Sequence, residues 1–441
     1  MKIYDIFRIL IISFLFSSSH VVFANNVPPT EYTTWLNNLK EEMQDRGISK
    51  ATIEAAFSKN YYHKKHNVIK QDRNQNEFIL TTSDYLKRVI TEARVKKGRD
   101  FYKKLSKRYP NGVKGVPLHY LIAFWGIETN FGAYQGGFNA IEALTILSYD
   151  TRRPKFFREE LYNVLRIIDE GHITIDKIES SWAGALGNFQ FMPSTFNNYA
   201  VDANNDGKID IWNNFDDAIT SAGNYLSQIG WLEKEKWGTP VDVSWNFDYK
   251  NSGRNLKKTI KEWKRLGVNI KGFDENTEAS LIFPEGYRGQ GYLIFSNFHV
   301  IMQWNKSENY ALAVGLLADR IKNGKSSYTI PVARNYKLTS ADIKKVQQFI
   351  NKQKIANIKI DGYLGSQTRG AIQILQKRFK LPADGYPNYA LLEKIKRFSQ
   401  MGYIPSIPST RVHKDKQASL RRKKNSINLS ESKANKENIN D

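Results

Sequence analysis

The chain has 441 residues, which suits two or three domains and a sizeable core, with 41% hydrophobic and 13% aromatic residues. Cysteine is absent, which excludes a disulfide framework, a thiolate nucleophile, cysteine-ligated zinc and a lipid carried on an N-terminal cysteine. A formal net charge of +22 implies an anionic partner (nucleic acid, anionic lipid or an acidic polymer such as a bacterial wall), and charge alone does not choose among them.

Residues 1–24 read as an export signal. Lys2 and Arg8 give a positive start weakened by Asp5, residues 9–16 are a short apolar run, and Val22-Phe23-Ala24 suits cleavage after Ala24. The alternative is an uncleaved anchor, but the run is short against the about 20 apolar residues of a bilayer span. An exported, soluble, monomeric protein is expected. Apolar residues then recur at helical spacing over 32–57 and 84–109, the latter ending at Pro110. Pro117 opens an apolar helix, LHYLIAFWGIETNFG, with Glu128 near its C-terminal end and Gly132 as a stop. Helices are also expected over 141–149, 156–170, 216–229 and 310–321, with glycine-rich loops between them. Strand signals such as VDVSWNF and SLIFP mark a β-like insertion over roughly 239–296. NGKSSYTIPV is a linker candidate, after which three helical patterns over 336–398 form a smaller unit. Residues 405–441 are polar and charged and should be disordered.

Three motifs carry chemistry. The carboxyl of Glu128 sits among Phe124, Trp125, Ile127 and Phe131. Desolvation there penalises the charged form, which keeps a glutamate protonated and able to donate a proton. The plainer alternative is a glutamate on a wet helix face. The second motif is SSWAGALGNFQFMPSTF at 180–196: Gly184 and Gly187 allow a tight loop, Gln190 supplies an amide suited to sugar hydroxyls and acetamido groups, and Ser194 can cap a helix. By itself it is also an ordinary loop leading into a helix. The third, DANNDGKIDIWNNFDD, begins at Asp202. Asp202, Asn204 and Asp206, then Gly207, match ligand positions 1, 3 and 5 and the glycine at 6 of a calcium loop. Lys208 would give its carbonyl and Asp210 stands at position 9, while Asn213 replaces the usual glutamate at position 12. Asp216 or Asp217 would then supply the closing carboxylate, and a plain Asx-Gly turn is the alternative. No HExxH, GxSxG or Walker pattern occurs, and the seven histidines are scattered.

Taken together, GIETNFG, the SxAGAxGxxQFMPS pattern with Trp182 at its first variable position, DxNxDGxxDIW, AGNYL at 222–226 and WNKSENYALAVGLLADRI at 304–321 resemble the membrane-bound lytic transglycosylase B family. The resemblance runs over about 31–321. It implies a mainly α, lysozyme-like α+β catalytic domain (30–325) with a small strand-containing insertion, in a periplasmic enzyme acting on peptidoglycan glycan strands. It further implies that Glu128 alone serves as acid and then base. The acid protonates the bond between N-acetylmuramic acid and N-acetylglucosamine. The substrate's acetamido group stabilises the cationic sugar, and the muramic C6 hydroxyl closes a 1,6-anhydro ring. No cofactor is needed for that chemistry, and calcium would be structural. The resemblance also assigns sugar binding to Ser181 and Gln190, an aromatic cleft border to Tyr225, and the cleft wall to Asn305 and Tyr310. It gives contact with stem-peptide or lactyl carboxylates to Arg152 and Arg153. Core packing is the plainer role for the tyrosines, and an exposed helix start for the arginines.

Two features depart from the lipid-anchored members: the missing lipidation cysteine and an added C-terminal unit. DGYLGSQTRGAIQILQKRFKLPADGYPN at 361–388 resembles a peptidoglycan-binding domain. Its signature is Asp361, Gly362, Gly365, Thr368, Ala371 and Ile372, with a second Asp-Gly at 384–385, and a small three-helix domain is implied. The basic tail fits adhesion to an anionic wall or membrane, or is a solvated end with no partner. Other wall enzymes form a further partner class. A non-catalytic wall-binding scaffold is the competing function, opposed by the intact GIETNFG and QFMPS motifs. Nucleic-acid binding is opposed by the export signal and by the lack of a nucleic-acid module.

Overall fold

The computed structural model describes residues 29–59, 61–62, 65–73, 80–324 and 338–401. The export signal at 1–24, most of the linker candidate and the tail at 405–441 lie outside the described residues.

The first apolar segment forms two helices, α1 (Thr30–Asp45) and α2 (Lys50–Ala56). Gly47 turns the chain at φ 93°, and the Ser49 hydroxyl caps α2 by accepting from the Thr52 amide at 3.2 Å. After α3 (Lys65–Arg73), the segment expected as one helix over 84–109 also divides, into α4 (Thr82–Val89) and α5 (Glu92–Leu105). Thr91 takes extended backbone and caps α5, accepting from the Arg94 amide at 3.2 Å, so the apolar period continues while the helix restarts.

Helix α6 (Leu118–Thr129) is buried on every side from Leu118 to Gly126 and forms the axis of the main core. It ends where Asn130 and Phe131 both adopt left-handed backbone, at φ 52° and 62°. The Phe131 ring folds back over Gly126, where a Cβ would lie 2.7 Å from the ring. Strand β1 (Phe138–Asn139) pairs antiparallel with β2 (Glu179–Ser180), and α7 (Ala140–Tyr149) and α8 (Pro154–Asp169) lie between them in sequence. Then come α9 (Pro193–Tyr199) and α10 (Phe215–Gln228).

The expected β-like insertion is a sheet. Its strands are β3 (Gly238–Val243), β4 (Lys257–Thr259), β5 (Val268–Asn269), β6 (Glu278–Ile282) and β7 (Gly291–Ile294), with α11 (Ile260–Arg265) between β4 and β5. The order is β4-β6-β7-β3-β5 with antiparallel neighbours, in registers such as Ser280 opposite Ile294 and Pro240 opposite Tyr292. The sheet has its own apolar cluster around Trp263, Leu281, Phe283 and Leu293. The chain returns to the main core through α12 (Ser296–Trp304), a helix absent from the sequence reading, and α13 (Glu308–Asn323), which packs on α6, α5 and α4.

Helices α14 (Ser340–Lys352), α15 (Ser366–Arg378) and α16 (Tyr389–Met401) enclose a third apolar cluster around Ile350, Ile372, Leu375 and Leu391. Its two Asp-Gly turns are held in the same way. The buried Gln347 amide donates to Asp361 at 2.9 Å and accepts from the Gly362 amide at 2.9 Å. The buried Gln376 amide donates to Asp384 at 2.6 Å and accepts from the Gly385 amide at 2.8 Å. The second turn docks on the loop between β6 and β7: Asp384 Oδ2 accepts from the Tyr287 amide at 2.8 Å, and Arg369 donates to the Pro284 carbonyl at 2.7 Å. The mainly helical fold expected from the sequence is the one observed.

Candidate active site

Glu128 lies on the last turn of α6 and is half-buried. Its Oε1 accepts from the Trp304 indole N–H at 3.1 Å and from the Tyr310 hydroxyl in a short bond. These donors come from the end of α12 and the first turn of α13, so one short connection supplies both. Tyr310 is among the residues expected from the sequence; Trp304, which opens the same motif, joins the site only in the structure.

Trp304 is also the hub of an aromatic wall. Its ring lies 4.6 Å from Phe124, 5.1 Å from Tyr225 and 5.4 Å from Phe191, measured between centroids. Tyr225 in turn lies 4.6 Å from Tyr199. Burial pushes the Tyr225 phenol above its ordinary pKa, with the neighbouring Tyr199 adding to it, so it stays a neutral hydrogen-bonding group. Tyr225 therefore stands near Glu128 through Trp304.

The glycine-rich loop is joined to α6 by Asn188, a residue that carries no signal in the sequence motif. Its carbonyl Oδ1 accepts from the Trp125 indole at 2.9 Å, and its amide donates to the carbonyls of Ile211 and Trp212 at 3.1 and 2.9 Å. The Thr129 hydroxyl donates to the Asn188 backbone carbonyl at 2.8 Å. Leu186 and Phe191 close the turn by exchanging backbone bonds of 2.7 and 2.9 Å. Gly187 is required there: its φ is 63°, and a Cβ would lie 2.7 Å from the Ile211 carbonyl. Gln190 completes the turn at φ 52°, a strained value for a non-glycine residue, and its amide donates to the carbonyls of Gln135 and Gly187 at 2.8 and 3.1 Å. Only its Oε1 is left to offer a ligand. Ser181 likewise spends its hydroxyl oxygen inside the loop, accepting from the amides of Ala183 and Ala185 at 3.3 and 3.1 Å.

Other expected residues have different placements. Asn305 caps the 304–310 connection, accepting from the Ser307 amide at 3.2 Å. Arg152 and Arg153 lie exposed at the start of α8, where both pair with the buried Asp72, at 2.6 and 3.1 Å. They line a cavity of about 510 Å³ together with Arg254, Lys306 and Arg369, apart from Glu128.

In the Asx-rich loop, both oxygens of Asp202 accept backbone amides, from Asn205 at 2.7 Å and Gly207 at 2.8 Å. Asp206 accepts from the Lys208 amide at 2.9 Å and from the Asn204 side chain at 2.8 Å. Asp217 is buried beneath the loop and accepts from the amides of Ala203 and Asp210, each at 2.9 Å. Burial raises its pKa, and the charges of Asp202 and Asp206 raise it further. Asp216 turns away to Arg108 and Tyr109, so of the two candidate closing carboxylates it is Asp217 that borders the loop. Among the described residues, no three His, Cys, Asp or Glu side chains converge as a metal cage. The loop gathers the oxygen side chains of Asp202, Asn204 and Asp206 above Asp217, with the Lys208 charge beside Asp206.

Comparison with known proteins agrees with this architecture. The family model described as a transglycosylase SLT domain matches residues 31–319, and one for a peptidoglycan binding domain matches 339–395. The chain is 31% identical over 244 residues to membrane-bound lytic murein transglycosylase B of Escherichia coli strain K12, an alignment spanning 54% of this chain and 66% of that relative. It is similar to the crystal structure of SltB3 from Pseudomonas aeruginosa in complex with NAG-anhNAM-pentapeptide, with TM-score 0.76, 33% identity, and coverage of 83% of this chain and 99% of that one. It is also similar to the Escherichia coli lytic transglycosylase SLT35 in complex with calcium, with TM-score 0.56, 26% identity, and coverage of 65% and 92%. With a catalytic-domain match over most of its length, the chain belongs to the transglycosylase SLT domain family.

Proposed function

We propose that the protein is a lytic murein transglycosylase that cleaves the β-1,4 bond between N-acetylmuramic acid and N-acetylglucosamine in peptidoglycan without consuming water. The observation that supports this most directly is the single carboxyl of Glu128, half-buried at the end of an apolar helix and oriented by Trp304 and Tyr310. Both donors hold Oε1 as an acceptor, so the proton of the acid form belongs on Oε2. That proton passes to the glycosidic oxygen as the bond to C1 breaks. The resulting carboxylate then takes the proton of the muramic C6 hydroxyl, whose oxygen bonds to C1 and closes the 1,6-anhydro ring. Proton and electron pairs balance, and Glu128 ends as it began. Attack by a tethered hydroxyl gains from high effective molarity, which is why one carboxyl suffices where many glycosidases use two. The indole and phenol stabilise the carboxylate between the two proton transfers.

Sugar contacts belong to the same proposal. Tyr225 and Trp304 offer aromatic faces, and Gln190 Oε1 an acceptor held by its strained turn. Calcium is proposed to bind at Asp202, Asn204, Asp206 and the Lys208 carbonyl, with Asp217 supporting from below; its part is to brace the loop between Gln190 and Tyr225, with no role in bond cleavage. Residues 1–24 are proposed to direct export, so that the mature chain acts in the periplasm. No helix among the described residues is long and apolar enough to cross a membrane.

The test is mass spectrometry of soluble products from purified sacculi digested by the mature protein and by Glu128→Gln. Anhydromuropeptides from the parent and none from the variant are expected. Products heavier by one water would make the enzyme a hydrolase. Wall binding without products would favour a scaffold.

A further inference from the structure

The five-stranded sheet carries a groove of about 340 Å³ that shares no lining residue with the arginine-lined cavity and includes none of the residues around Glu128. Asp242 and Val243 of β3 line it, with Tyr249, Tyr287, Arg288 and Gln290. Several of these side chains are fixed yet keep bonding capacity. The Gln290 amide donates to the carbonyls of Val241 and Gly291 at 2.8 and 3.1 Å, and its Oε1 has no partner among the described residues. Arg288 Nε donates to the Tyr287 hydroxyl at 3.0 Å, and the Tyr249 hydroxyl donates to the Tyr287 carbonyl at 3.3 Å. The two tyrosine rings lie 5.8 Å apart. The C-terminal unit braces the same loop, since Asp384 accepts from the Tyr287 amide at 2.8 Å. The Asp242 carboxylate has no hydrogen bond or ion pair among the described residues.

Two residues beyond Val243 stands Trp245, which is 95% exposed, whereas the other tryptophans are buried or half-buried. A fixed turn holds it there. The Ser244 amide donates to the Gly267 carbonyl at 2.8 Å, and the Phe247 amide donates to the Ser244 carbonyl at 3.0 Å. Phe247 itself is buried in the sheet's apolar cluster. The backbone of the turn is therefore ordered before any ligand arrives, which lowers the entropic cost of covering the indole.

We propose that this groove is a second glycan-binding site, taking a neutral segment of β-linked N-acetylhexosamine with the Trp245 indole stacked on a sugar ring. One carboxylate and one guanidinium balance in the lining, so the groove lacks the surplus charge that would select an anion. A carboxylate and an amide oxygen accept from sugar hydroxyls and acetamido N–H groups, a guanidinium donates to their oxygens, and aromatic faces cover the apolar C–H faces of the rings. The volume suits one or two sugar rings. The choice of an acetylated glycan rests on the transglycosylase reading. The site would hold the enzyme on a strand at a point away from the bond being cleaved.

The test uses the full mature chain carrying Glu128→Gln, with fluorotryptophan incorporated and the Trp245 fluorine resonance identified by its loss in Trp245→Phe. Chitohexaose is the probe. A saturable shift of the Trp245 resonance is expected. Asp242→Ala and Gln290→Ala should each raise the Kd read from it roughly five- to tenfold, the size of one hydrogen bond. Asp242 is exposed, so its variant tests the site even if Gln290→Ala disturbs the sheet. Lys359→Gln, on an exposed position of the C-terminal unit, should leave the Kd as in the parent. A Trp245 resonance unmoved by chitohexaose, an equal shift with maltohexaose, or a Kd unchanged in both groove variants would overturn the proposal. So would a shift produced by phosphatidylglycerol vesicles and not by chitohexaose, which would make Trp245 a membrane contact. The titration is read in a chain without its cleaving carboxyl. Absence of products from sacculi would therefore sink the transglycosylase reading and leave the groove to be decided by Trp245.

Discussion

The Trp304 indole N–H donates to Glu128 Oε1 at 3.1 Å, joining residues 176 positions apart in the chain. The same indole ring stacks into the aromatic wall at 5.1 Å from Tyr225. One side chain thus both orients the carboxyl and shapes the surface beside it. Trp304→Phe keeps most of the ring and removes the donor. A hydrogen bond to a charged group contributes about 1.5–3 kcal/mol, so kcat should fall roughly 10- to 100-fold with a small change in KM. Tyr310→Phe should act similarly, and the double variant should lose less than the product of the two, because both donors serve one oxygen. Steady-state kinetics on purified sacculi decides this; a pure KM effect would show that neither residue orients the acid.

Asn188 is the joint between the glycine-rich loop and α6. Truncation to alanine strands the buried Trp125 indole and removes one donor each from the Ile211 and Trp212 carbonyls, which keep the residue 188 backbone amide and the Gln135 side chain, respectively. The expected loss is about 2–4 kcal/mol in denaturant unfolding, more than an exposed asparagine would cost. Activity should fall further than stability accounts for, because Gln190 moves with the loop. A loss below about 0.5 kcal/mol would mean that water replaces these bonds.

Asp319 gives a pH signature. Burial pushes its carboxyl up to about 6, opposed in part by the Trp237 indole, which donates to it at 2.9 Å, and by Lys236 and Lys322. A carboxyl with a raised folded-state pKa binds its proton more tightly when folded. Its stabilising contribution is present below about pH 4 and is lost as pH rises through about 6. Asp319→Asn keeps the acceptor and removes the charge. It should therefore be more stable than the parent by about 1–2 kcal/mol at pH 7.5, with no gain at pH 4. An equal gain at both pH values would assign the effect to packing.

Calcium at the Asx-rich loop should appear as a melting temperature several degrees lower in chelator, restored by calcium and not by magnesium. Asp202→Ala should melt at the same temperature with and without calcium. A parent melt unmoved by chelator would remove the structural cation from the proposal and leave the loop as a self-satisfied Asx turn.

Much of the candidate site was legible because its signals are local. Glu128 stands out as a lone acid in an apolar helix, and the Asx spacing from Asp202 and the two Asp-Gly turns need only a few residues to be recognised. The helix breaks at Ser49 and Thr91 were hidden because apolar periodicity runs through them, while the deciding term, a capping hydroxyl, depends on a single side chain. Trp304 was hidden for a different reason: its meaning lies in a partner 176 residues away. Periodicity says that it is apolar and helical, not which carboxyl its N–H will meet. Asp216 and Asp217 make the same point at short range. Neighbours on a helix point about 100° apart, so one goes to Arg108 and the other under the loop, and only the packing of α10 decides which. Arg152 and Arg153 read as free cations because the sequence places Asp72 some 80 positions away, whereas the fold buries that carboxylate against both. The sequence by itself determined the residue types that carry the chemistry and the local geometry of their turns and helices. Which donor meets which acceptor, and where unspent charge collects between two packed units, was decided by tertiary structure, because desolvation forces buried polar groups to pair with whatever packing brings within reach.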